Sequence, residues 1–147
     1  MNEIVRIRPI RNEDAEAVAD LAAQLGYQRT PDQVRAWIAG LPSRQGQAGF
    51  VAVFAEEVAG WIDVSLEHHL QSEPYGLIGG LVVRDGMRNL GIGRKLCEHA
   101  ERWVSAQGVA KMRVTSRSTR DAAHRFYLRD GYQQVKVSLV FEKKLIG

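Results

Sequence analysis

This sequence predicts a mixed α/β fold, with one mostly antiparallel sheet of about six or seven strands and helices on both faces. Three observations lead there. Period-two and helical patterns alternate along the chain. FVAVFA (50–55) and VAGWIDVSL (58–66) are strand-like runs joined by a tight Glu56-Glu57 turn, which makes a hairpin in the middle of the chain. GLIGGLVV (76–83) is almost wholly apolar, as expected of a strand covered on both faces. The central antiparallel hairpin argues against an all-parallel dinucleotide-binding sheet.

The elements follow in order. Ile4 to Pro9 alternate and read as a first strand. Asn12 caps a helix carrying Ala15, Val18, Ala19, Leu21, Ala22 and Leu25, and Gly26 closes it. Thr30-Pro31-Asp32 starts a second helix, with proline at the first helical position, ending near Gly40. Residues 41–49 and 67–75 are loops; Gly79-Gly80 within the apolar strand hints at a bulge or a close backbone approach. A helix runs from Gly91 or Ile92 to about Gln107, with Leu96, Ala100, Trp103 and Val104 on one stripe. KMRVTS (111–116) is a strand, Arg120 to Asp130 a helix ended by Gly131, and residues 132–143 alternate as a final strand or hairpin.

The chain has 147 residues and reads as one domain, 1–147, large enough to bury a core without disulfides. Its single cysteine, Cys97, has no partner for an intramolecular bridge and fits a reducing compartment and a small buried side chain. No apolar run approaches the roughly 20 residues of a membrane span, and MNEIVRIRPI has no signal-peptide core, so the expectation is a cytoplasmic protein without membrane contact. Net charge is +3, and the basic residues are scattered without interleaved aromatics, which excludes a nucleic-acid stripe. His68-His69 has no third ligand at a useful spacing, so no metal is expected. Nothing in the sequence decides for or against a homodimer.

RNLGIGRKL (88–96) follows the apolar strand and opens a helix. It is not a Walker loop, which needs G-x-x-x-x-G-K-[ST], and it lacks the third glycine of G-x-G-x-x-G. What remains is R-x-x-G-x-G at a helix N-terminus. There the first-turn amides are unpaired and the helix dipole is positive, so glycines let the backbone wrap an anion such as a pyrophosphate.

VVRDGMRNLGIG (82–93), followed by a helix, a strand and AAHRFYLRDGY (122–132), resembles the GNAT superfamily of N-acetyltransferases. The first stretch is similar to that family's acetyl-CoA loop and the second to its helix ending in F-Y-x-x-x-G-[FY]. The loop's commonest form has glycine after its arginine; here Asn89 stands there, the residue after glycine that best tolerates left-handed backbone. The resemblance implies that acetyl-CoA enters between strands 76–83 and 111–116, its pantetheine arm beside Leu81, Val82 and Val83. The pyrophosphate would meet the amides of Arg88, Asn89, Leu90, Gly91, Ile92 and Gly93, with Arg94 beside it. Arg120 would reach a phosphate, Ala123 is small enough to admit the cofactor, and Tyr127 matches the tyrosine that protonates the departing thiolate. The implied activity is transfer of acetyl to a primary amine of a small molecule by direct attack on the thioester.

Many relatives carry a glutamate in the strand before the loop; residues 76–83 contain no acid. The general base is therefore open among Asp63, Glu67, His68, His69, Glu73 and water. DAAHRFYLRDGY and the histidine-bearing loop are similar to aminoalkylphosphonate acetyltransferases, whose acceptor would want a cation such as Arg29 or Arg44. Two alternatives stand beside this reading: a non-catalytic acetyl-CoA sensor, favoured by the missing glutamate, and an enzyme acting on a protein amine.

Overall fold

The structure is a computed structural model and describes residues 4–116 and 120–147. It divides into two compact units, one through Thr115 and one from Ser116 onward.

The first unit is a five-stranded sheet in the order β1 (Arg6–Pro9), β2 (Gln47–Phe54), β3 (Glu57–Glu67), β4 (Tyr75–Val83), β5 (Met112–Val114). The first three pairings are antiparallel and β4–β5 is parallel. Between β1 and β2 come α1 (Ala15–Gln24) and α2 (Pro31–Gly40); α3 (Ile92–Ala106) connects β4 to β5. Alternation along β2 and β3 sends side chains to opposite faces. Phe50, Ile62 and Val64, with Ile78 of β4, are buried on the face covered by Ile92, Leu96, Ala100 and Val104 of α3. Val51 and Trp61 face the other way, into a cluster with Ala15, Val18, Ala19, Val34 and Ile38 of α1 and α2. Helices thus cover both faces, as the sequence predicts, and Cys97 is fully buried among the α3 side chains.

Local chemistry fixes the helix starts. Thr30 accepts from the Gln33 amide while Gln33 accepts from the Thr30 amide, a reciprocal cap with Pro31 at the first position. Ahead of α1, Asp14 is 3 % exposed and takes both arms of the Arg8 guanidinium at 2.8 Å and the Arg11 amide at 2.7 Å. Burial by itself would raise this carboxyl; the Arg8 fork and the Arg11 amide outweigh it and hold it below the ordinary range.

Two expectations need correction. The hairpin turns at Ala55-Glu56, both at positive φ (50° and 64°), one residue earlier than the Glu56-Glu57 turn read from the sequence. The sheet has five strands among the described residues, against the six or seven expected, because residues 132–147 form neither strand nor helix. Alternation alone does not make a strand; it needs an edge to pair with and a face to bury against. Within its own unit this segment follows a single helix, α4 (Asp121–Arg129), and Val135, Val137, Leu139 and Phe141 are 73–88 % exposed.

Candidate active site

β4 has two unequal edges. Toward β3 it pairs from Tyr75 to Val83 with only Gly79 skipped, ending at Gly60↔Val83. Toward β5 it pairs only at Gly76, Leu77 and Ile78, so that from Gly79 to Val83 this edge has no neighbouring strand among the described residues. An open edge beside a paired one offers backbone N–H and C=O groups to whatever lies alongside. Leu81, Val82 and Val83 lie on this stretch.

Past Val83 the chain is tied down before it turns. The Arg84 amide donates to Ala59 O at 2.7 Å and its guanidinium to Val58 O at 2.8 Å. The Gln24 side chain spans from Val83 O (3.1 Å) to the Asp85 amide (2.9 Å) and so ties α1 to the loop. The loop then bends through left-handed backbone at Gly86, Asn89 and Gly91, the last two at φ +76°. Asn89 therefore takes the conformation for which the sequence made it acceptable. A Cβ at Gly91 would meet nothing within 4 Å, so the backbone angle, not crowding, selects glycine there.

Ile92 is buried and anchors the first turn of α3; Leu90 is exposed, and Gly93 and Arg94 continue the turn. No acidic residue lies in that first turn, so its positive dipole end is not neutralised from within. Arg88 pairs with Asp85 at 2.8 Å and Arg94 with Glu98 at 3.1 Å, both at the surface. The structure thus brings Leu81 to Val83 and Arg88 to Arg94 into one continuous strand–loop–helix.

Arg120, Ala123 and Tyr127 belong to the second unit. Arg120 is the N-cap residue before α4, which starts at Asp121, one position later than the start at Arg120 read from the sequence. Ala123 and Tyr127 are half-buried, one turn apart. The end of α4 explains its sequence. Gly131, at φ +93°, lets the Tyr132 amide reach Tyr127 O (2.9 Å) and its own amide reach Leu128 O (3.3 Å), the paired bonds of a glycine-terminated helix. Tyr132 then packs edge-on against the Tyr127 ring at 5.8 Å, and Phe126 does so at 5.3 Å. The F-Y-x-x-x-G-Y spacing is the spacing that closes this cap and fixes the Tyr127 ring.

On the α1/α2 face of the sheet lies a hollow of about 150 Å³. Ile10, Arg29, Val34, Trp37, Trp61 and Asp63 are among its walls. Asp63 stands opposite Gly49 on β2 and Gly80 on β4, and the register skips Gly79 as a bulge. A Cβ on Gly79 would collide with Asp63 Oδ1, and one on Gly80 would lie 2.6 Å from the Trp61 ring. The glycine pair noted in the sequence is thus both a bulge and a close approach. No hydrogen bond or ion pair reaches the Asp63 carboxylate among the described residues, and burial pushes it up to about 6. Trp61 Nε1, in the same wall, is buried without a hydrogen-bond partner among the described residues.

The other candidate bases lie elsewhere. Glu67 is four residues farther along β3, about 13 Å at the strand rise. It is held by Ser65 Oγ at 2.8 Å and lies 3.3 Å from His69 Nε2. His69 stacks on Tyr75, and His68 and Glu73 are exposed. Arg44 is engaged by Trp37 O and Gln47, which leaves Arg29 as the cation in the hollow's wall. Gln24 and Arg84, which brace the loop, carry no sequence signal, because their roles depend on partners 26 to 61 positions away.

A curated relative, the aminoalkylphosphonate N-acetyltransferase of Salmonella typhimurium, is 38 % identical over 79 residues, 53 % of this chain and 51 % of the relative. The chain thus matches about half the length of that protein. Among solved structures, the aminoglycoside N-acetyltransferase AAC(6')-Iy in complex with CoA is similar in fold, with TM-score 0.88, 19 % identity, and coverage of 98 % of this chain and 97 % of that one. A transcriptional regulator from Bacillus halodurans is similar too, with TM-score 0.85, 22 % identity, and coverage of 95 % and 100 %. The family model for acetyltransferases of the GNAT type matches residues 8–132, a span that includes the open β4 edge, the left-handed loop and the tyrosine-bearing helix, and the chain belongs to that family.

Proposed function

We propose that this protein is an acetyl-CoA-dependent N-acetyltransferase that moves the acetyl group to a primary amine of a small molecule by direct attack on the thioester. The observation that carries the reading is the open edge of β4 from Gly79 to Val83, running through left-handed Asn89 and Gly91 into the unneutralised N-terminus of α3. An extended thioester arm suits the edge and a pyrophosphate suits the helix start. In this reading Leu81, Val82 and Val83 line the arm, the amides from Arg88 to Gly93 hold the pyrophosphate with Arg94 beside them, and Arg120 and Ala123 serve the cofactor from α4. Tyr127 gives the departing sulfur its proton. The family match runs across both units, which supports treating 1–147 as one functional domain.

The acceptor class is read from the hollow and the curated relative. The relative acts on an aminoalkylphosphonate, and Arg29 in the wall suits an anionic group carried near the amine. The reading also takes the protein as cytoplasmic, where Cys97 stays a free thiol, and as a homodimer that buries the apolar row Val135, Val137, Leu139 and Phe141 against a second copy. No helix among the described residues is long and apolar enough to cross a membrane.

The test is release of free CoA thiol from acetyl-CoA in the presence of 2-aminoethylphosphonate, neamine or n-hexylamine. Amine-dependent release is expected, fastest with the phosphonate. Tight acetyl-CoA binding with no release would replace the enzyme by a sensor; release only with a peptide amine would move the acceptor to proteins.

A further inference from the structure

We propose that Asp63 is the general base of the transfer and that the hollow between β3 and the α1/α2 pair takes the amine-bearing end of the acceptor. This rests on the acetyltransferase reading and deepens it. β4 itself carries no acid, and Gly79 and Gly80 clear room on it for a carboxylate reaching across from β3.

Three independent features converge on that spot. A carboxylate set among apolar walls with no partner is costly, and such perturbed groups cluster at functional sites. The bulge at Gly79 and the glycines on both neighbouring strands, Gly49 and Gly80, shape the space around it. A second polar atom in the wall, Trp61 Nε1, is also unpaired among the described residues and offers a donor to an oxygen of the acceptor. The volume of about 150 Å³ decides the size class. It holds a group as large as benzene, so a short alkylamine enters whole and a larger amine enters by one arm. Placement agrees as well: Asp63 pairs with Gly80, the residue before Leu81 on the open edge where the thioester arm is proposed to lie.

The step balances as follows. Asp63 takes a proton from the amine nitrogen as that nitrogen bonds to the carbonyl carbon. The C–S bond then breaks, the sulfur takes a proton, and CoA leaves as the thiol. An acceptor that begins as an ammonium therefore releases one net proton to water per turnover. Burial keeps the free carboxyl near 6, so it is ionised at neutral pH yet far more basic than an ordinary aspartate. Among the described residues Arg29 is the other titratable group in the hollow's walls; β2 and β4 place only glycines beside Asp63, and α1 and α2 contribute apolar side chains.

The experiment compares wild type with Asp63→Asn, using whichever of 2-aminoethylphosphonate, neamine and n-hexylamine the wild type acetylates fastest. Acetyl-CoA affinity is measured separately by calorimetry. Expected are a loss of kcat on the order of 10²–10⁴-fold, unchanged acetyl-CoA affinity, and disappearance of the wild-type acid limb near pH 6 in kcat/KM, the parameter that reports the free enzyme. Asp63→Asn loses no bond and should melt at higher temperature than wild type at pH 7. A second variant, Trp61→Phe, should raise the acceptor KM and leave acetyl-CoA affinity alone. Wild-type kcat in Asp63→Asn, or a persisting acid limb, overturns the proposal. So does a wild type that binds acetyl-CoA but acetylates none of the three amines. A wild type that does not bind acetyl-CoA overturns the acetyltransferase reading itself.

Discussion

At the scale of single residues, Asp63 and Asp14 carry opposite signs. Asp14 is held below the ordinary carboxylate range by Arg8 and the Arg11 amide, so it stabilises the fold at neutral pH. That contribution fades as pH falls through its lowered value. Asp63 is raised to about 6 by burial. Below about pH 4 both folded and unfolded chains hold its proton and it costs nothing. Between about 4 and 6 the unfolded chain releases the proton first, and above 6 the fold carries a penalty on the order of 1–3 kcal/mol, allowing for its partial exposure. The gain in melting temperature of Asp63→Asn should therefore be present at pH 7 and gone at pH 4. Tyr127 makes a different prediction. Removing its hydroxyl in Tyr127→Phe leaves the ring contacts with Phe126 and Tyr132 in place. The expected result is a fall in kcat on the order of 10²–10⁴-fold at unchanged acetyl-CoA affinity, read by steady-state kinetics beside calorimetry. An unchanged kcat with chemistry limiting would make the tyrosine a packing residue.

Among the elements, the strand–loop–helix around RNLGIGRKL separates two reasons for glycine. Gly91 has left-handed backbone, whereas Gly93 is not among the positive-φ residues and lies in the first turn of α3. Nothing in the backbone of the free protein requires glycine at 93, and valine is a somewhat better helix former. Gly93→Val should thus fold normally yet bind acetyl-CoA at least ~10-fold more weakly, a change of about 1.4 kcal/mol. Equal affinity by calorimetry would reduce the loop to a turn. This is also the scale at which the sequence was most readable. The R-x-x-G-x-G stretch, Asn89 and the cap after Tyr127 are local, and local backbone chemistry determines them. The hollow was not readable in that way. Asp63, Glu67, His68, His69 and Glu73 look alike along the chain; what sets Asp63 apart is a register that places it between Gly49 and Gly80. The strand expected over 132–143 failed for the converse reason: its alternation is real, but pairing is a property of two segments.

For the molecule as a whole, the exposed apolar row from Val135 to Phe141 and the proposed dimer stand or fall together. Light scattering should give twice the 16.4 kDa chain mass for wild type, and a monomer for Val137→Lys combined with Leu139→Lys. A wild-type chain that stays monomeric up to about 1 mM, where even a dimer of millimolar dissociation constant is part-formed, would contradict it. The central claim, that the fold exists to hold acetyl-CoA, has a more direct test in the melting temperature of the protein titrated with acetyl-CoA. Ligand that binds only the native state at about one hundred times its dissociation constant adds about 2.7 kcal/mol of stability. The account predicts a melting temperature that rises steadily with acetyl-CoA, whereas one that stays flat into the millimolar range would contradict it.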